Sequence, residues 1–493
     1  MNLFDEKNFK APAHFNKLKR EIIRDLKKYS LASVIKNTRL VIADDDFKIK
    51  WIAYLILKWK FIVTDPSRSV ISGRECTTKI IYNWSGLLWD SKASIMNVHI
   101  MIRQMIGVQS IWYGKSFDLA LFMPTFIMLL DEDDPIRKHI KNEYEMDVED
   151  FALLASFIFL FHGNFGTVIS AAAIHSENMN SQVKKIFDKL SFNYKLIIGQ
   201  GLNQTLSYED AVIKYLSAID VNSSSKEYTE IPWIQQYPIV IFENESFLLI
   251  DKFLWEHRAS NYFYEQLFKS SKSLQDSIGQ SFEKFCKKII VPYFTDFKPR
   301  VNLPKSKPNA DMVAEDSNYF YIFEFKHKKY DKDFFNANST KDLSNLVENQ
   351  VLSGYKQVKA TAYNIDNRLG IFEFARKHIN KKRIAFIVTE SDYKVASGTE
   401  LNKYIEHENL LTNDHLDDKD IYIISIFNLE MCLLASKENN TSLASVVSTS
   451  FDSYHSFDKR KLRSKFPTTE QTQSALLMQI LQKRVNDLAK SLQ

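Results

Sequence analysis

Apolar residues recur along this chain with two different periods, and the change between them divides it. Lys17–Lys27 and Lys48–Lys60 mix apolar and basic residues at helical spacing, Phe117–Leu130 and Phe151–Phe161 are mostly apolar and read as buried, and Gln182–Leu190 and Tyr208–Ser217 repeat the helical pattern. Residues 1–220 are therefore predicted to be a mainly helical domain, a possible sensor or regulatory module. Val221–Glu230 (VNSSSKEYTE) has linker composition. The period then shortens. Tyr237–Phe242 and Phe247–Ile250 flank Glu243–Ser246 as a hairpin, and Phe253–Phe268 follows as an aromatic helix, so residues 231–270 form a connector. Residues 271–434 alternate between the two periods. Leu274–Ile290 is predicted as a helix with Ile278, Phe282, Phe285, Cys286 and Ile289 on its apolar face. Strands are expected at Phe297–Leu303, Ala310–Ala314, Tyr319–Lys326, Arg383–Thr389 and Ile421–Ile426. A long helix, Leu343–Tyr363, carries Gln350, Tyr355 and Gln357. In residues 435–493, the Ser/Asn-rich Ala435–Phe457 reads as a loop and Thr469–Leu492 as an amphipathic helix. Its stripe of Leu477, Leu481, Val485, Leu488 and Leu492 suits a dimer seam or packing onto its own domain. The fold class expected is multidomain α plus α/β.

Composition narrows this picture modestly. At 493 residues, two to four domains are expected, and the 36 Phe and 22 Tyr are ample for sizeable cores. With 12 Gly and 11 Pro, long flexible stretches are not expected. Cys76, Cys286 and Cys432 are odd in number and far apart, which offers neither a disulfide framework nor zinc spacing and fits a reducing cytoplasm. The first residues lack the apolar core of a secretory signal. Phe151–Ile174 is uncharged and long enough to span a bilayer, but His162–Gly166 interrupts it, so two buried helices joined by a turn are expected and no membrane association. The net charge of +5 is uneven: Lys269–Glu400 holds about 23 basic and 16 acidic residues, a local excess of about +7. Such an excess is either a solvated surface or a phosphate-facing groove.

Candidate chemistry concentrates in Asn309–Lys329. Asp311 opens one short apolar segment, a turn follows at Glu315–Asn318, and Tyr319–Lys326 is strongly β-prone. Side chains two apart on a strand share a face, so Phe320, Ile322, Glu324 and Lys326 point one way and Tyr319, Tyr321, Phe323 and Phe325 the other. A Glu and a Lys ending a buried face need a partner or a metal, because buried charge is costly. The tripeptide alone is common: Asp5-Glu6-Lys7, Asp46-Phe47-Lys48, Asp296-Phe297-Lys298 and others share it. Glu324-Phe325-Lys326 stands apart because it ends a strand, follows an Asp-bearing strand and lies downstream of the helix bearing Glu283. As a structural alternative, Glu324 and Lys326 form an ion pair at a strand end, worth little. No GxxxxGK[ST], HExxH or GxSxG sequence occurs.

The order helix, three strands, helix, strand, with Glu283, Asp311 and Glu324-Phe325-Lys326 where they fall, resembles the PD-(D/E)xK nuclease superfamily over residues 271–430. Ala310 stands where many members have Pro, and Gln350 and Tyr355 are five apart, unlike the spacing of RecB-type nucleases. The resemblance implies a restriction-endonuclease-like mixed β-sheet flanked by helices. It implies catalytic roles for Asp311, Glu324, Lys326 and Glu283. It also implies Mg2+, with Mn2+ able to substitute, held by Asp311, Glu324, the Phe325 backbone carbonyl and Glu283. Hard oxygen ligands without a His or Cys cluster suit magnesium. Lys326 would orient or deprotonate the attacking water. The substrate expected is DNA, with backbone contacts from Lys298, Arg300, Lys305, Lys307, Lys328 and Gln350. A large helical module before a nuclease resembles bacterial antiphage defence effectors, with a homo-oligomer or companion defence protein as expected partner. The alternatives are a catalytically silent nucleic-acid-binding or assembly protein of the same fold, and an RNA nuclease.

Overall fold

The computed structural model describes residues 13–29, 33–34, 37–38, 40–41, 50–63, 81–87, 134–144, 147–150, 168–169, 205–207, 239–241, 247–249, 272–299, 309–327, 352–366, 381–390, 416–417, 420–451, 457–466 and 475–491. The N-terminal part contains helices α1 (Ala13–Leu26), α2 (Lys50–Val63) and α3 (Pro135–Tyr144). On α1, Leu18, Ile22 and Leu26 recur every four residues and are buried, while Lys17, Arg20 and Arg24 face out. That amphipathic stripe packs on α2. Lys60 of α2 donates to the Leu26 carbonyl at 3.0 Å, so a cation meets the negative end of α1. Asp134 starts α3 by accepting from the Ile136 N–H at 2.8 Å, with Pro135 at the first turn, where its missing donor costs nothing.

Four short strands form a mixed sheet: β1 (Val168–Ile169), β2 (Thr205–Ser207), β3 (Ile239–Ile241) and β4 (Phe247–Leu249), in the order β1-β4-β3-β2. β3 and β4 pair antiparallel with Ile239 opposite Leu249, as the hairpin pattern predicts. The outer strands interrupt the mainly helical N-terminal part and correct the reading of Phe151–Ile174 as two buried helices. Val168–Ile169, within the stretch read as two buried helices, pairs with β4, and Thr205–Ser207 pairs parallel with β3. A lone hairpin is marginal and leaves two edges of unpaired backbone groups, so β-prone segments far off in sequence fill them.

The second sheet positions the candidate site. After α4 (Lys272–Ile290) and a 3-10 turn at Val291–Tyr293 come β5 (Asp296–Pro299), β6 (Met312–Glu315) and β7 (Tyr319–Lys326). Helix α5 (Ser353–Asp366), β8 (Lys382–Thr389) and β9 (Ile421–Ser425) follow, then helices α6 (Ile426–Glu438), α7 (Leu443–Ser450), α8 (Lys459–Lys465) and α9 (Ala475–Lys490). The strand order is β5-β6-β7-β8-β9. β6 runs antiparallel to both of its neighbours, β5 and β7, whereas β7, β8 and β9 run parallel. The result is a mixed sheet flanked by helices.

The alternation in β7 sorts the two faces. Phe320 and Ile322 join Ala385, Ile387, Ile421 and Ile423 beneath Tyr355, Val358, Ala362 and Ile365 of α5. Tyr321 and Phe323 point the other way and stack with Phe386, which stacks on Tyr422. Helices α4, α6 and α7 cover this aromatic face: Phe285 of α4 meets Phe427 of α6, and the Ala444 N–H of α7 donates to the Tyr321 hydroxyl at 3.3 Å. Burial and the Asp316 carboxylate hold the Tyr321 phenol far above its ordinary pKa, so it stays a neutral donor.

One C-terminal expectation changes. The Ser/Asn-rich segment read as a loop holds the end of α6 and all of α7. Ser442 caps α7 by accepting from the Ser445 N–H, and Leu443, Ala444, Val446 and Val447 bury its inner side. Ser448 and Thr449 donate to the Ser445 carbonyl and Ser450 to that of Val446, which satisfies inside the helix the hydroxyls that suggested a loop. Helix α9 packs on its own chain. Arg484 reaches Asp150 at 2.8 Å and Asp147 at 3.2 Å, and Leu488 is buried. Among the described residues, no helix is long and apolar enough to cross a membrane.

Candidate functional site

The C-terminal end of β7 lies beside the start of β6, because the two strands are antiparallel, and beside the end of β8, because those two are parallel. Asp311 is the residue before β6. Its N–H donates to the Phe323 carbonyl at 3.0 Å, and its Oδ2 accepts the Phe325 N–H at 2.8 Å. The carboxylate is thereby fixed against the Glu324–Phe325 segment. Glu324 is 1% exposed and Asp311 5%, so both are withdrawn from bulk water. Lys326 Nζ lies 2.7 Å from Glu324 Oε1 and donates to Gln357 Oε1 at 2.5 Å. Two buried carboxylates and an ammonium thus meet at one strand end, as the alternation of β7 predicts.

Helix α5 holds this arrangement through Gln357, Thr361 and Asn364. Positions i, i+4 and i+7 of a helix share a face. Gln357 Nε2 donates to the Asn309 carbonyl at 3.3 Å, Thr361 Oγ1 accepts the Ala310 N–H at 2.7 Å, and Asn364 Nδ2 donates to Asn309 Oδ1 at 2.9 Å. One polar stripe therefore fixes Lys326 and the two residues that lead into Asp311. Gly354, one turn before Gln357, lets α5 come close: a Cβ there would lie 3.1 Å from Ile387 Cγ2, 3.2 Å from Lys326 Cε and 3.5 Å from Glu324 Cγ.

The remaining sequence candidates fall differently. Glu283 lies on α4 and pairs with Lys287 one turn later. Burial, and then the charges of Asp311, Glu283 and Glu390, raise the Cys286 thiol on the same helix well above its ordinary pKa. Gln350, Arg300, Lys305, Lys307 and Lys328 lie outside the described residues, as does the side chain of Lys298. Gln357, on the helix predicted to carry Gln350, is the glutamine that contacts Lys326. His327 lies on the face opposite Lys326, with its ring 5.4 Å from that of Phe282. Its Nε2 is 2.9 Å from Glu390 Oε2, within ion-pair reach but off the line of a hydrogen bond. Glu390 had no local signal, because its place depends on the parallel pairing of Lys326 with Thr389.

The side-chain oxygens at this strand end are those of the Asp311 and Glu324 carboxylates. All are hard oxygens, and their chemistry fits Mg2+. Among the described residues, no group of three or more His, Cys, Asp or Glu is placed to hold a metal, so a third protein ligand here would be backbone. Comparison with known proteins matches the chain to no family model, no curated protein and no solved structure.

Proposed function

We propose that this protein is a metal-dependent nuclease that hydrolyses phosphodiester bonds of DNA, with a restriction-endonuclease-like domain over residues 271–430. The observation that carries the reading is the meeting of Asp311, Glu324 and Lys326 at one end of β7, with Lys326 Nζ 2.7 Å from Glu324. Hydrolysis adds water to phosphorus, breaks a P–O bond and leaves an alkoxide that takes a proton. Negative charge grows on the phosphoryl oxygens along the way. A divalent ion held by Asp311, Glu324 and the Phe325 carbonyl would supply charge stabilisation to that group. Lys326, as an ammonium, orients the phosphoryl group and the attacking water and offsets charge on the phosphoryl oxygens, and the proton of that water leaves to solvent. Gln357 fixes the lysine for that task.

Plasmid DNA incubated with the purified protein and Mg2+ tests this. The wild type is expected to cleave, and Asp311→Ala and Lys326→Ala are each expected to reduce cleavage by on the order of a hundredfold or more, with circular dichroism verifying that each variant is folded. Equal cleavage by all three proteins would sink the reading. Unaltered DNA binding without cleavage under any divalent metal would instead favour a catalytically silent binding protein.

A further inference from the structure

Helix α8 reads KRKLRSK, with five cations in seven residues and no acid. Its placement is firm. Leu462 is fully buried, Asp458 accepts from the Arg460 and Lys461 N–H groups, and the Asp458 N–H donates to the Ser450 carbonyl. Phe451 and Phe457 bridge across the preceding segment, and Phe451 packs edge-on against Tyr422 of β9. A helix so anchored turns the positions around Leu462 outward: Arg460, Lys461, Arg463 and Lys465 are exposed. Lys461 reaches the Phe451 carbonyl at 3.5 Å. Among the described residues, Lys459, Arg460, Arg463 and Lys465 form no ion pair.

Like charges four apart on a helix repel, and α8 contains two such pairs, Lys459 with Arg463 and Lys461 with Lys465. The bare helix is therefore destabilised by its own side chains, and an anionic partner relieves it. The charge density also fits one partner well. Seven helical residues span about 10 Å, and a duplex carries one charge per about 1.7 Å of axis, or about six charges over that length.

We infer that α8 is a docking surface for the phosphate backbone of duplex DNA, separate from the carboxylate site at the end of β7. The choice of DNA over other polyanions rests on the nuclease reading. Contact of this kind is independent of base sequence and strongly salt-dependent.

The test measures binding of the full chain to a short fluorescent duplex by anisotropy, with EDTA present so that no cleavage intervenes. Arg460→Ala/Arg463→Ala/Lys465→Ala should weaken binding at least tenfold at about 0.1 M salt and flatten the slope of log K against log salt by roughly 2 to 3. Arg460→Lys/Arg463→Lys, which keeps the charge, should bind like the wild type. All three residues are exposed, so unchanged melting temperatures verify folding. Wild-type affinity and slope in the triple variant would overturn the inference, as would a wild-type protein that binds no duplex. Loss of binding to phosphatidylserine vesicles with duplex binding intact would also overturn it, in favour of a lipid surface. If plasmid cleavage fails in the wild type while duplex affinity still falls in the triple variant, the nuclease reading fails and the docking surface stands.

Discussion

Gly354 shows how little room surrounds Lys326. In a helix interior, alanine is ordinarily better than glycine by about 1 kcal/mol. Here the added methyl would press on Ile387 and Lys326, and overpacking typically costs about 1–3 kcal/mol. The two effects offset in stability but not in geometry, because the softer neighbour is the lysine. Gly354→Ala is therefore expected to leave Tm nearly unchanged and to lower cleavage, measured by differential scanning calorimetry beside the plasmid assay. Gln357→Ala acts on the same lysine from another side. It removes the acceptor 2.5 Å from Nζ together with a donor to the Asn309 carbonyl, so kcat should fall on the order of tenfold to a hundredfold with KM little altered. A wild-type kcat would show that the Glu324 contact alone fixes Lys326. The sequence marks Asp311, Glu324 and Lys326 because strand alternation is local and they sit on or beside one hairpin. Gln357 and Glu390 depend on how a helix and a parallel strand return to that hairpin, and no short-range pattern carries this. The stripe of Gln357, Thr361 and Asn364 is visible in the sequence as three polar residues at i, i+4 and i+7, but only the contact with Asn309 and Ala310 gives it meaning.

Among the elements, β7 and β8 are the most legible, since long runs of aromatic and β-branched residues leave little choice but a central strand. The short edge strands are less so: β1 and β2 owe their form to the hairpin they complete. Helix α7 is hidden by its serines, whose hydroxyls bond back into the helix. Its link to the sheet runs through Tyr321, which donates to Asp316 Oδ2 at 2.5 Å and accepts from Ala444. Tyr321→Phe removes one acceptor for a buried N–H and one donor to the β6–β7 turn, and it should lower stability by about 1–3 kcal/mol in urea titration. Phe323→Ala on the same face vacates a ring stacked 5.2 Å from Phe386 and should cost more, about 3–5 kcal/mol. If the two substitutions cost the same, the aromatic face would be loosely packed.

Across the molecule, polar contacts tie the N-terminal part to the sheet domain. Ser281 of α4 donates to Asp134 Oδ2 at 2.7 Å, and Arg484 of α9 forks onto Asp147 and Asp150. Bonds to those carboxylates hold the Arg484 guanidinium even more firmly charged than usual. Arg484→Ala leaves Asp150 without its cation and Asp147 with Lys141 alone, and should cost about 1–3 kcal/mol, seen as an earlier urea midpoint. A second, earlier transition would mean that the two parts unfold separately once this contact is gone. The direction of β7 has a practical consequence as well. Its far end meets β6 in a tight turn whose exposed Ser317 and Asn318 are held by Asp316, which accepts from the N–H groups of Asn318 and Tyr319. The eight-residue strand Tyr319–Lys326 runs from that turn to the lysine, roughly 25 Å at strand rise. A Ser317→Cys handle there would let the protein be tethered to a bead or a sensor chip with the lysine end of the sheet turned away from the support.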